Sequence, residues 1–228
     1  MIREFADSDE LAAALGSHIG AAISRRLQRD GKAAIALSGG ATPVKFLRAL
    51  SKQDLNWAAI TVTLVDDRWV PPSSPRSNAL LLRENLLQGP AAAAAFLPLV
   101  NPAETPETGR AAAENAIAAL PLPFAAVTLG MGADGHTASF FPGADHLLDA
   151  LNPPQGRRVE TLHSQAAIEP RITLTLPVLL AADRIAIHIE GAAKREVLNA
   201  ALQSGPVEAM PIRAVLAHRP PAEIFWCP

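Results

Sequence analysis

Two rhythms of apolar residues alternate along this chain. Leu11, Leu15, Ile19, Ile23 and Leu27 recur at every fourth position, which is one face of a helix. Ser8-Asp9-Glu10 supplies a capping hydroxyl and early acids at its start, and Asp30-Gly31 ends it. Short aliphatic runs then read as strands: Ala33–Leu37, Ile60–Val65, Phe124–Leu129, Arg184–Ile189 and Ala222–Trp226, with weaker ones at Phe96–Val100 and Arg158–Leu162. Arg171–Pro177 alternates apolar and polar and reads as a strand or extended lead. Helices are predicted between them at Val44–Leu50, Ala79–Leu87, Thr105–Leu120, Val178–Ala182, Arg195–Leu202 and Pro211–Leu216. The alanine-rich Thr105–Leu120 segment turns Ala112, Ala116 and Leu120 inward, and Leu147–Pro154 reads as loop.

Alternating strands and helices predict an α/β fold: a mostly parallel, doubly wound, Rossmann-like sheet with helices on both faces, in one domain over residues 1–228. A 49% hydrophobic content fills such a core. A net charge of −2 without a basic block gives nucleic-acid binding no electrostatic support. No apolar run reaches the ~20 residues of a membrane span, and no signal-peptide pattern opens the chain. The lone Cys227 makes neither an internal disulfide nor a zinc site and suits a reducing, cytoplasmic setting.

The chemistry gathers where strands end. Leu129 runs into Gly130-Met-Gly-Ala-Asp-Gly-His136, a glycine loop carrying Asp134 and His136. The glycines also match G-x-G-x-x-G. A dinucleotide site, however, needs a helix at the third glycine, and Asp134 would repel a pyrophosphate while Pro142-Gly143 stops a helix early. A plain strand-to-loop turn, with His136 bonded to backbone, is the blander alternative.

Ser38-Gly39-Gly40-Ala41-Thr42-Pro43 follows another strand. Thr42 suits an N-cap and Pro43 a first helical residue, so the free amides and hydroxyls make an anion site there, with an ordinary capped βα turn as the alternative. Asp66, Asp67 and Arg68 stand after a third strand, where a solvated charged turn competes with a ligand-binding role. Lys194 follows a fourth strand, and Arg171 heads the alternating segment. His188 reads as a packed core histidine and the lone His163 as structural. In a parallel sheet such strand ends share one edge, which turns several weak signals into one anionic-ligand pocket.

Ser38–Pro43, Val65–Arg68, Gly130–Pro142, Arg171–Pro177 and Gly191–Lys194 resemble the 6-phosphogluconolactonase family in order and spacing. That family shares its fold with glucosamine-6-phosphate deaminases. The deaminases typically carry Asp-Glu-Tyr where this chain has Asp66-Asp67-Arg68, and a glutamate after the histidine where it has Thr137–Pro142. The lactonases' usual Asp-Glu-Arg is Asp-Asp-Arg here, so Asp67 is one methylene short.

The resemblance implies hydrolysis of 6-phospho-D-glucono-1,5-lactone, without cofactor or metal, by a monomer or weak homo-oligomer. Its implied catalytic residues are His136, Asp134, Asp66 and Arg68; its phosphate-binding residues are Ser38, Gly39, Gly40, Thr42, Arg171 and Lys194. An imidazole, with an ordinary pKa of ~6.5, suits the base that activates water. An amino-sugar-phosphate deaminase or a non-catalytic sugar-phosphate sensor remains as an alternative.

Overall fold

The computed structural model describes residues 1–228. In chain order its elements are β1 (Ile2–Glu4), α1 (Ser8–Asp30), β2 (Ala33–Leu37), α2 (Val44–Leu50), β3 (Ile60–Leu64), β4 (Asp66–Arg68), α3 (Asn78–Asn85), β5 (Ala95–Leu97) and α4 (Pro106–Ala118). There follow β6 (Ala126–Leu129), α5 (Leu147–Leu151), β7 (Val159–Leu162), β8 (Arg171–Leu174), α6 (Leu176–Leu180), β9 (Ile185–Glu190), α7 (Ala192–Ala201), α8 (Ile212–Leu216) and β10 (Glu223–Cys227).

Seven strands form the main sheet in the order β1-β10-β9-β6-β2-β3-β5, and every pair in it is parallel. Its strands are apolar on both faces, as a helix-covered parallel sheet requires; all of Ala33–Leu37 and Ala126–Leu129 is buried. The expected doubly wound α/β architecture is present. From β2 the chain winds outward through β3 to β5, then returns to place β6 on the other side of β2. The carboxyl ends of β2 and β6 therefore flank the point where winding reverses, the place where such sheets bind ligands.

The predicted apolar face of α1 is its buried face: Leu11, Leu15, Ile19 and Ile23 are fully buried, each worth about 1.5–3 kcal/mol of burial. Gly16 lets α2 approach, since a Cβ there would sit 3.3 Å from that of Ala49. Gly31, at φ 72°, ends α1 as predicted.

A second, three-stranded antiparallel sheet, β4-β8-β7, departs from the all-in-one-sheet expectation. Val65 is the point of departure. Its N–H still donates to Leu37 of the main sheet, while its carbonyl accepts from Leu174 of the small one. Asp66-Asp67-Arg68 is thus a strand rather than a solvated turn, and Asp67 is fully buried.

Further corrections are local. The cap of α1 is Asp7, which accepts from Asp9 and Glu10 N–H groups, rather than Ser8. Thr42 does not cap α2; Pro43 holds the N-cap position without a side-chain bond. The buried face of α4 is Pro106, Gly109, Ala113 and Ile117, one residue on from Ala112 and Ala116, while Leu120, past the end of the helix, packs half-buried against the core as expected. Leu147–Leu151 is helical instead of loop. Strand β1 pairs with β10 at the sheet edge although its mixed sequence gave no strand signal.

Candidate active site

A cleft of ≈ 350 Å³ opens at the carboxyl ends of β2, β6 and β9, and the small sheet forms its far wall. Its lining includes Ser38, Gly39, Gly40, Thr42, Asp66, Arg68, His136, Arg171 and Lys194. Of the nominated residues only Asp134 lies outside the lining, and it touches the cleft through His136.

The loop after β6 folds on itself. The Gly132 N–H donates to the His136 carbonyl at 2.9 Å, and the Gly135 N–H to Gly132 at 3.1 Å. Thr137 Oγ1 donates back to the Gly130 carbonyl at 2.8 Å. This tight turn brings Asp134 Oδ1 to 2.6 Å from His136 Nδ1 and 3.0 Å from the His136 N–H. A carboxylate only accepts, so Nδ1 carries the proton of the neutral ring, and in that tautomer the lone pair is on Nε2. Burial pushes the Asp134 carboxyl up, but the His136 N–H and ring outweigh it and hold the group below the usual carboxylate range. A Cβ at Gly132 would lie 2.1 Å from His136 Nδ1, so glycine is what admits the ring. No helix opens at Gly135; the chain continues through turns to Pro142, which removes the dinucleotide geometry.

The imidazole packs on Phe141 at 4.4 Å between ring centroids, and the Arg171 guanidinium lies over the same phenyl ring at 5.3 Å. Arg171 faces Arg68 directly across the β4–β8 pair. The Nε atoms of both are buried without a partner among protein atoms. Burial lowers the Arg171 pKa, against the pull of Asp66. A buried N–H donor without an acceptor is costly, and an anion in the cleft offers one to both. Lys194, in the first turn of α7, donates from Nζ to the Met131 carbonyl. Its pKa is lowered by burial, opposed by Asp134 and Glu190.

Asp66 is tied to the histidine loop: Ser139 Oγ donates to its Oδ2 at 2.6 Å. Ala138, just before Ser139, adopts φ 48°, a strained angle for a residue with a Cβ. Asp67 turns the other way and takes no part in the lining. Its carboxylate accepts the Asn78 N–H at 2.7 Å and the Ala79 N–H at 3.1 Å, anchoring β4 to the start of α3. Burial raises its pKa to about 6 despite these donors.

The sequence reading passed over two cleft residues, Asn78 and His188, and also Ser139, which holds Asp66 from outside the lining. Asn78 was legible only as part of a helix start, yet its Nδ2 donates to the Asp66 carbonyl and its Oδ1 accepts from Arg68 Nη1 at 3.1 Å. Ser139 lay inside a quoted motif without a role, and His188 read as core. His188 is buried as expected, but it also lines the cleft. His163 binds Asp145 at the surface, away from the cleft lining.

A larger surface groove of ≈ 570 Å³ runs along Pro123, Pro153, Pro154 and Pro177 and holds none of the nominated residues. Its cations, Arg157 and Arg158, are already paired with Glu160 and Glu114. No group of three or more His, Cys, Asp or Glu side chains converges as a metal-ligand set, and no helix is long and apolar enough to cross a membrane.

Comparison with known proteins agrees with this geometry. The family model described as glucosamine-6-phosphate isomerases/6-phosphogluconolactonase matches residues 6–226. A 6-phosphogluconolactonase of Mesorhizobium japonicum is 48% identical over 225 residues, covering 98% of this chain and 94% of that protein. One from Rhizobium meliloti is 46% identical over 225 residues, covering 98% and 97%. The crystal structure of a 6-phosphogluconolactonase from Shewanella baltica superposes with a TM-score of 0.97 at 38% identity, over 100% of this chain and 97% of that one. With a matched family model over nearly its whole length and relatives this similar, the chain belongs to the glucosamine-6-phosphate isomerase/6-phosphogluconolactonase family.

Proposed function

We propose that this chain hydrolyses 6-phospho-D-glucono-1,5-lactone to 6-phospho-D-gluconate, the second step of the oxidative pentose phosphate pathway. The observation that carries this reading is the His136–Asp134 pair opening into the same cleft as the Ser38–Thr42 turn and three cations, Arg68, Arg171 and Lys194. A lactone is an activated ester, so a positioned water and a base suffice. His136 Nε2 takes the proton of the water as its oxygen attacks the C1 carbonyl. Asp134 fixes the tautomer and stabilises the imidazolium, as a carboxylate does in hydrolytic triads. Such a base contributes roughly 10²–10⁴ in rate.

The tetrahedral intermediate places negative charge on the former carbonyl oxygen, and we assign Arg68 to it. Collapse breaks the bond between C1 and the ring oxygen, and the imidazolium returns its proton to that oxygen. Asp66, held by Ser139, orients water or sugar hydroxyls. The phosphate docks on the amides and hydroxyls of Ser38, Gly39, Gly40 and Thr42, with Lys194 and Arg171 as counter-charges. Binding it far from the reacting carbonyl supplies orientation. In this reading residues 1–228 act as one catalytic domain, in the cytoplasm, as a monomer or weak homo-oligomer. One contiguous cluster of 56 buried apolar residues supports the single domain.

The test is lactone hydrolysis by the wild type and by His136→Ala. The wild type accelerates lactone decay above the spontaneous rate; His136→Ala loses at least ~10² in kcat while still binding 6-phosphogluconate. Binding without acceleration in the wild type would make the chain a sensor, and ammonia release from glucosamine 6-phosphate would make it a deaminase.

A further inference from the structure

Two loops leave the end of the small sheet at which Arg68 and Arg171 face each other: residues 69–77 follow β4, and residues 163–170 lead into β8. The first has little of its own to hold it. Pro71, Pro72 and Pro75 have no N–H to give. The Ser74 N–H closes a small turn on the Pro71 carbonyl at 2.9 Å, and the Arg76 N–H another on Ser74 Oγ at 3.2 Å. From residues 71–76 one side chain hydrogen-bonds outside the loop. Arg76 donates from Nε and Nη2 to the two carboxylate oxygens of Glu169, the second bond at 2.9 Å. Glu169 stands on firmer ground, beside Pro170, whose carbonyl accepts the Trp69 N–H at 2.8 Å and so carries the β4–β8 pairing one step further. The loop in turn holds Arg68. Arg68 Nη1 donates to the Arg76 carbonyl at 2.7 Å and to Asn78 Oδ1 at 3.1 Å. One end of the guanidinium is thereby fixed, in a residue that lines the cleft.

We infer that Arg76 and Glu169 form a positioning pair for Arg68: gripped from the end of β8, the Arg76 side chain fixes its own carbonyl, and that carbonyl fixes the guanidinium that meets the developing oxyanion. The inference rests on the reading of Arg68 as the oxyanion's partner. Neither member of the pair lines the cleft, so both act through Arg68. The loop is pinned at its far end by Asp67, which accepts the Asn78 N–H at 2.7 Å. With Arg76 gripped as well, the peptide between residues 76 and 78 is held from two sides. An ion pair this near the surface adds little to stability. A two-pronged one, joining loops with no other side-chain bond between them, is better accounted for by what it keeps in place. Electrostatics point the same way. Arg68 opposes the charge of Arg171 across the strand pair, and Glu169 is, with Asp66, one of the two acids that support it. A catalytic cation displaced by about an ångström loses much of its effect.

The experiment is steady-state lactone hydrolysis by Arg76→Gln, Glu169→Gln and the double variant, with Arg76→Gln repeated in an Arg68→Lys background. Each single substitution lowers kcat about fivefold. KM stays within about twofold, because the phosphate anchor is elsewhere, and Tm stays within about 2 °C. The double variant loses no more than either single one, as expected when both break the same contact. Arg76→Lys, which keeps the charge without the fork, falls in between. In the Arg68→Lys background a single nitrogen cannot both hold the Arg76 carbonyl and reach the oxyanion, so Arg76→Gln costs nothing further. A merely structural pair would cost as much in both backgrounds. An unchanged kcat in either single variant, losses that multiply in the double variant, or an equal loss beside Arg68→Lys would overturn the inference while the wild type still hydrolyses lactone. A wild type that leaves lactone decay at its spontaneous rate would remove the underlying reading instead.

Discussion

Asp67 is a fully buried carboxylate at the root of the strand that presents Asp66 and Arg68 to the cleft. Two forces oppose each other there. Burial disfavours its charge, and neighbouring Asp66 adds repulsion, while N–H groups of Asn78, Arg68 and Ala79 favour it. The balance raises its pKa from 3.8 to about 6, a gap worth about 3 kcal/mol at about 1.4 kcal/mol per pKa unit. Because the folded state holds this proton more tightly than the unfolded chain, the stability it contributes is complete below about pH 3 and is lost as pH rises through about 6. Asp67→Asn removes the titration and keeps an oxygen for the Asn78 N–H. Urea unfolding of both proteins across this pH range measures it, because contributions from other groups cancel in the difference. Wild-type stability relative to Asp67→Asn falls by about 3 kcal/mol between pH about 3 and about 7. A difference that grows with pH would mean the three donors outweigh burial, and would refute the reasoning.

The remaining predictions concern the cleft. Lys194→Ala mainly raises KM for the lactone, by about 10–100-fold for loss of a charge-assisted contact, with kcat little changed in steady-state assays; an unchanged KM takes Lys194 out of the phosphate site. Gly39→Ala puts a Cβ 2.1 Å from the Asn78 side-chain amide, which is pinned between Asp66 and Arg68. Its kcat/KM therefore falls by at least about tenfold with a smaller loss of Tm; wild-type kinetics would show that Asn78 has room to give.

The parallel sheet was legible because buried strands and glycine turns are strong local signals, and Ser38, Gly130 and Lys194 do follow strands. Arg68 and Arg171 reach the cleft differently, from within a second sheet. Its strands β7 and β8 were legible as strands, but nothing local announces β4: Asp66-Asp67-Arg68 has no apolar residue, and its strand character comes from the backbone of β8 and from burial of Asp67. Degeneracy explains the smaller misses. Asp7 and Ser8 are adjacent and equally fit to cap, and in the alanine-rich α4 only Ile117 distinguishes one inward face from the next. Leu147–Leu151 is held as a helix by burial of Leu147, Ala150 and Leu151, although Gly143 and Pro153 nearby suggest a loop. Asn78 was invisible as a cleft residue because its role depends on Gly39 and Arg68, which only the fold brings to it.

A crystal structure of the chain with 6-phosphogluconate bound tests the central claim most directly. The account predicts the phosphate on the Ser38–Thr42 amides beside Lys194, with the carboxylate carbon within one water of His136 Nε2 and its oxygens on Arg68. A phosphate seated elsewhere, or a sugar that leaves His136 out of reach of C1, would contradict it.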